Sequence, residues 1–314
     1  MNRPGSHPLP GRRSDPVSWW GTSLTGAATV FLLLILAVIL GTVVVQGLPA
    51  LSWRFISTIS KRDFFDLQSA AVLPMIIGTT VRVLIMTVFV MPIGVITAVY
   101  LTEYARPGSP YTRTVRAAIN NLAGVPSIVF GLFGLGFFVN FVGHGWDALS
   151  GSAGPRWGQP SLLWASLTLA VMTLPVVIVT TEESLRAIPT GLRDASLALG
   201  ATRLQTLLWI ILPNALPGIL TGGILAVSRA AGEVAPILFT GAAYYLAHLP
   251  QQASDQFMDL GYHAYVLATQ SPNVDETRPI LFATVLVLLM LTVSLNAVAI
   301  VVRARMRRAL RSHL

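Results

Sequence analysis

The sequence predicts an all-α membrane protein with six transmembrane helices, and three observations carry that expectation. Of its 314 residues, 54% are hydrophobic and only 11% charged, with a mean hydropathy of +0.68. No soluble domain of this size needs so much apolar surface, so lipid is the expected solvent. The apolar residues gather into six runs near the 20-residue length that crosses a bilayer. The basic residues fall into blocks that alternate with those runs.

The first 22 residues, rich in Pro, Gly and Arg, read as a disordered tail. Leu24 to Val45 follows without a charge. It is too long for a signal-peptide core and no small-residue cleavage pattern follows, so it reads as an uncleaved first span with Trp19 and Trp20 at the interface. Residues 47–70 are mixed polar and aromatic, the pattern of a loop on the opposite side. Four further spans are expected at about 76–101, 117–142, 161–181 and 206–232, and a sixth from Ile280 to Val302. Residues 304–314 form a basic tail, so the membrane domain covers 23–303.

Six spans place both termini on one side. Of the 21 basic residues, 14 then fall on that side, in the tail, the second and fourth connections and the C-terminus. Five fall opposite, and Arg82 and Arg229 lie within spans. Basic residues favour the cytoplasm, so both termini are expected there. The same sorting explains the net charge of +8 without invoking nucleic acid. Cysteine is absent, which excludes disulfides and thiolate metal sites. His144, His248 and His263 lack metal-ligand spacing. The outer connection 241–277 is long for a loop, and segments near Tyr244–Leu249 and Met258–Leu267 have the composition of short helices.

The fourth connection, residues 182–213, carries the most specific pattern. Ser196, Leu199, Gly200 and Leu204 outline a short helix and a turn, and Gly200 suits a sharp bend. Pro213 and Pro217 limit backbone hydrogen bonding at the start of the fifth span. From the residues alone this is either an interfacial helix that orients that span or a docking surface. Asp194-Ala195-Ser196, three residues, Gly200, nine residues and Ile210-x-Leu212-Pro213 resemble the EAA loop of binding-protein-dependent ABC importer permeases. That loop reads Glu-Ala-Ala, three residues, Gly, nine residues, Ile-x-Leu-Pro. The spacing is the same; Asp194 stands for Glu and Ser196 for Ala. The resemblance implies a type I importer permease fold over about residues 70–303. It also implies that Asp194, Ala195, Ser196, Gly200, Ile210, Leu212 and Pro213 form a coupling helix and its anchor, seated in a cleft of a separate ATPase. This sequence has no GxxxxGK[ST] phosphate loop. ATP and Mg would therefore belong to the partner, and no cofactor is expected on this chain.

Arg229 and Glu233 stand four apart near the outer end of the fifth span, about 24 Å beyond Pro213 at 1.5 Å per residue. They read either as a structural ion pair or as a guanidinium offered to an oxyanion and oriented by Glu233. The string from Arg229 to Thr240, with Gly232, Glu233, Ala235 and Pro236, is similar to phosphate-import permeases of the PstA type. Val234 stands where a small residue such as Thr is usual. Gly124-Val-Pro-Ser-Ile-Val-Phe-Gly131 resembles a second segment of the same group. Gly131, Gly134 and Gly136 suit close helix packing, whereas Pro126 and Ser127 suit a pathway lining. Arg82, early in the second span, reads either as a snorkelling cation or as an anion attractor.

The resemblance implies a permease subunit of an ATP-driven inorganic phosphate importer in a prokaryotic plasma (inner) membrane. Its partners would be a second permease subunit, two copies of an ATP-binding subunit, an extracytoplasmic phosphate-binding protein and membrane lipid. Arg229, Glu233, Arg82 and Ser127 are the candidate substrate pathway. Sulfate or molybdate as cargo, an ion-coupled secondary anion transporter, and a scaffold reporting phosphate state to a sensor kinase are the competing readings.

Overall fold

A computed structural model describes residues 16–59, 65, 69–106, 108–151, 154–246 and 248–311. The described residues form helices and their connections, with no named strand among them. Six helices are long and apolar enough to cross a membrane: α1 (Trp19–Ala50), α3 (Leu73–Tyr104), α5 (Ser127–Ser150), α6 (Leu162–Arg186), α8 (Arg203–Gly232) and α10 (Val274–Met306). Four short helices accompany them: α2 (Trp53–Ser57), α4 (Pro110–Ala123), α7 (Thr190–Ala198) and α9 (Leu260–Thr269).

The chain divides into two compact units, residues 1–45 and 46–314. The first unit is mainly α1, apolar all round, as a lipid-facing span must be. Helix begins at Pro16, inside the segment expected as a tail, and residues 1–15 lie outside the described chain. In the second unit α6 is the most deeply buried of the candidate spans, and α3, α8 and α5 pack on it. Their shared core holds Val83, Met86, Val90, Phe130, Leu169 and Ala230. Helix continues beyond α10 as far as Arg311, so the basic C-terminal segment extends the sixth span rather than leaving it.

The third span departs from expectation. Residues 110–123 form a separate amphipathic helix, and the span itself starts at Ser127, about ten residues later than the hydropathy suggested. The cause is local: Gly124 closes α4 by donating to the Asn121 carbonyl, and Pro126 has no N–H with which to continue the helix. Arg113, Arg116 and Asn120 thus lie outside the apolar span.

At the far end from the basic connections, the long connection is stitched to the spans rather than draped over them. The first N–H groups of α6 have no helical partner; Ser161 donates to the Thr240 carbonyl at 2.8 Å, Leu162 to Asp255 at 2.8 Å and Leu163 to Ala253 at 2.9 Å. Of the two helical segments expected here, Leu260–Thr269 is a helix, whereas the described part of 244–249 is not. The loop expected at 47–70 contains α2, capped by Ser52. Lys61 and Arg62, two of the five basic residues expected on this side, lie outside the described residues.

His263, on α9, is 4% exposed among Met75, Met258 and Val266, and burial lowers its pKa to about 4. A histidine whose folded pKa lies below the unfolded value near 6.5 stabilises the fold above pH 6.5 and loses that contribution as pH falls toward 4. The melting temperature should therefore drop across this window, and His263→Gln should flatten the drop. An equal slope in the variant, read by thermal unfolding in detergent, would show that another group drives it.

Candidate functional site: two charge networks at opposite ends of one helix

At the basic end, α7 carries the coupling pattern, and its geometry follows from three local signals. Gly200 sits at φ +87°, a left-handed conformation that side chains with a Cβ resist. Its N–H donates to the Leu197 carbonyl at 3.0 Å and that of Ala201 to the Ser196 carbonyl at 3.2 Å, the Schellman closure of a helix C-terminus. Thr202 then opens α8 with a reciprocal capping box: its hydroxyl accepts from Gln205 N, and the Gln205 side chain accepts from Thr202 N. Hydrogen bonding widens to i→i+5 over Leu207–Ile211, just before Pro213.

No residue of α7 is buried. Asp194 and Ala195 are exposed, and Leu192, Leu197, Leu199, Leu204 and Trp209 present an apolar surface, Leu199 being 90% exposed. The segment is nevertheless held. The Arg193 guanidinium donates to the Leu185 carbonyl at 2.7 Å and pairs with Glu103 at 2.9 Å, tying α7 to the ends of α6 and α3. The hydroxyls of Ser196 and Thr206 bond at 2.9 Å, tying it to α8. Glu182, 8% exposed, receives Arg116 of α4 and Arg186 of its own helix, the latter at 3.3 Å. Ile210, Leu212 and Pro213 are half-buried, and Ile211 between them packs on Leu185, Ile188 and Ala215. A push on α7 would thus be delivered to three spans.

At the other end of α8, the structure corrects two expectations. Arg82 does not snorkel: it is 0% exposed, and its Nη2 pairs with Asp259 at 2.9 Å. That carboxylate is fully engaged. Oδ2 also accepts from the Thr79 hydroxyl at 2.9 Å, and Oδ1 caps α9 by accepting from the N–H groups of Gly261 and Tyr262 at 2.9 and 3.1 Å. Arg82 further donates to the carbonyls of Glu233 at 3.2 Å and Ala231 at 3.3 Å. A cation there satisfies carbonyls that the end of α8 leaves open and complements its dipole.

The second correction concerns Arg229 and Glu233. They are not a buried pair on one helical face, because α8 ends at Gly232 and Glu233 is extended (φ −80°, ψ 126°). Their side chains are 44% and 23% exposed, with Arg229 Nε 3.5 Å from Glu233 Oε1. The buried pair is Arg82 with Asp259. Three of the four expected pathway residues therefore meet in one network, in the order Arg229, Glu233, Arg82, with Asp259 as the unanticipated fourth. Ser127 is half-buried at the start of α5, and no hydrogen bond joins it to this network among the described residues.

The two segments that resemble phosphate permeases pack together. A Cβ on Gly131 would lie 3.0 Å from the Ala235 carbonyl, and one on Gly134 would lie 2.2 Å from Thr168 Oγ1 and 2.7 Å from Thr240 Cγ2. Gly131 and Gly134 are thus packing residues; Gly136 meets nothing within 4 Å. Asp259 was missed although an acidic residue before Leu260-Gly-Tyr262 is a helix N-cap signal. No group of three or more potential metal ligands occurs among the described residues.

A protein-family model described as "Binding-protein-dependent transport system inner membrane component" matches residues 90–308. The probable ABC transporter permease protein YqgI of Bacillus subtilis is 33% identical over 70% of this chain and 68% of its own. The phosphate transport system permease protein PstA of Pasteurella multocida is 34% identical over 69% of this chain and 71% of its own. Among solved structures, a bacterial alginate ABC transporter in complex with an alginate pentasaccharide-bound periplasmic protein has a similar fold. It aligns with 90% of this chain and 92% of its own at a TM-score of 0.64 and 14% identity. The chain belongs to the family of binding-protein-dependent transport system inner membrane components and is a multi-pass inner-membrane permease of an ABC importer.

Proposed function

We propose that this permease is one subunit of an ATP-driven importer of inorganic phosphate, with both termini cytoplasmic. One observation carries the cargo. Arg229 is held only through Nε by Glu233, and its terminal nitrogens have no hydrogen-bond partner among the described residues. The planar fork that matches an oxyanion bidentately is thus left open at the end of α8. The PstA relative supports phosphate among the oxyanions.

The other parts of the machine follow from the two ends of that helix. The exposed leucines around α7 suit the cleft of a separate ATP-binding subunit, two copies of which would supply ATP and Mg chemistry. The alginate transporter crystallised with its periplasmic protein supports delivery by an extracytoplasmic binding protein. A second permease would complete the path around Arg229, and the basic residues at the α7 end support a cytoplasmic placement.

Labelled phosphate uptake tests the reading. A hydrogen bond to a charged group is worth about 1.5–3 kcal/mol, so Arg229→Ala should lower uptake by roughly tenfold or more. Wild-type uptake should be indifferent to excess sulfate or molybdate. Full uptake by the variant together with competition by sulfate would remove phosphate as the cargo.

A further inference from the structure

The basic end holds a second feature that the coupling segment does not use. The last turns of α3 and α6, together with α4 and α7, line a cleft of about 730 Å³. Four arginines face it, Arg113, Arg116, Arg186 and Arg193, with Thr112 and Asn120 between them. No acidic residue is among its lining residues. Among the described residues, two carboxylates pair with this wall: Glu182 with Arg116 and Arg186, and Glu103 with Arg193. Arg113 has no acidic partner among the described residues, so four positive and two negative charges leave a net charge of +2 on one concave surface. Guanidinium groups converging on a hollow without matching carboxylates create a field that an anion relieves.

The setting says which anion. Tyr100, Tyr104 and Tyr111 flank the lining residues in sequence and are 48%, 46% and 64% exposed. Exposed tyrosines at the end of an apolar span mark headgroup depth. A basic pocket between helices at that depth is a recognised form of headgroup site. Size agrees: with roughly 30 Å³ per water in the liquid, bare orthophosphate would leave most of the cleft to solvent. A phosphodiester with its glycerol would fill much more of it.

We propose that this cleft binds the phosphodiester headgroup of an anionic phospholipid. The phosphate sits among Arg113, Arg116, Arg186 and Arg193, and the acyl chains leave along the lipid-facing side of α3. Because Arg193 also ties α7 to Glu103, the lipid braces the helix read above as the coupling helix. That bracing rests on the coupling reading; the lipid site does not.

Native mass spectrometry of the full-length protein, released from nanodiscs containing phosphatidylglycerol and phosphatidylcholine, tests the site. The wild type should retain one phosphatidylglycerol that phosphatidylcholine does not replace. Arg113→Gln, which breaks no ion pair, should weaken retention severalfold, and R113Q/R186Q by roughly tenfold or more, about the worth of two arginines at a membrane surface. The charge-matched R303Q/R305Q, in the last turns of α10, should retain lipid as the wild type does. Equal retention in R113Q/R186Q overturns the proposal, as does equal loss in R303Q/R305Q, which would reduce it to general surface charge. Displacement of the lipid by millimolar inorganic phosphate would make the site one for the free anion and overturn the lipid assignment.

Discussion

Asp259→Ala is expected to cost about 3–5 kcal/mol of stability, the penalty for stranding a buried charge. Both partners of this pair are 0% exposed. Removing the carboxylate leaves the Arg82 guanidinium with only the carbonyls of Ala231 and Glu233. It also removes the cap of α9 and the acceptor for Thr79. Arg82→Ala should cost a similar amount, since it leaves Asp259 charged and buried. The decisive arm is R82M/D259L, in which both charges are gone and the volume is kept. Replacing both members of a buried pair by apolar residues is often neutral, so this variant should recover most of the loss, less the cap of about 1 kcal/mol. Thermal unfolding in detergent measures all three. Glu233→Ala provides the contrast: its side-chain pair with Arg229 is partly exposed, so the change should stay below about 1 kcal/mol. A single variant as stable as wild type, or a double variant no better than the sum of the two losses, would show that the pair does not fasten this end of the fold.

How much of this was legible in the sequence depends on how local the signal is. Spans were legible because bilayer thickness fixes their length and composition, and Gly200 because a helix stop is written in neighbouring residues. The capping box Thr202-x-x-Gln205 is equally local, and attention to the cap after the glycine would have found it. Arg82 was not legible. Its depth within a span admits a snorkelling side chain, and what decides against that is Asp259, 177 positions later in a loop whose fold no periodicity announces. The same limit hid the bonds from Arg193 to Glu103 and from Arg116 to Glu182, which join separate connections. The third span was misplaced for a different reason. Val115, Ile119 and Leu122 lend α4 enough apolar character to blur into α5, although Pro126 stood between them as a visible stop.

Gly200→Val should separate insertion from transport. At φ +87° a β-branched side chain costs at least 1–2 kcal/mol, and the strain lies between α7 and α8. Nothing lies within 4 Å of a Cβ at this position, so the cost is one of backbone conformation rather than of collision. The chain can escape it only by giving up the two hydrogen bonds to Leu197 and Ser196 that close α7. Spans and core are untouched, so membrane insertion and thermal stability should stay close to wild type. What changes is the angle at which α7 meets α8, held otherwise by Ser196 with Thr206 and by Arg193 with Glu103. If a partner ATPase drives transport through α7, misaligning this joint by 1–2 kcal/mol lowers substrate uptake roughly tenfold while ATP hydrolysis by the assembled transporter continues. A graded series separates backbone strain from bulk. Asn tolerates the left-handed region and should transport nearly as wild type, Ala should be intermediate, and Val lowest. Because bulk increases from Ala to Asn while strain decreases, the order of those two variants decides the mechanism. Ala above Asn would place the defect in a steric clash with the partner, and unchanged uptake by Val would remove α7 as the coupling element.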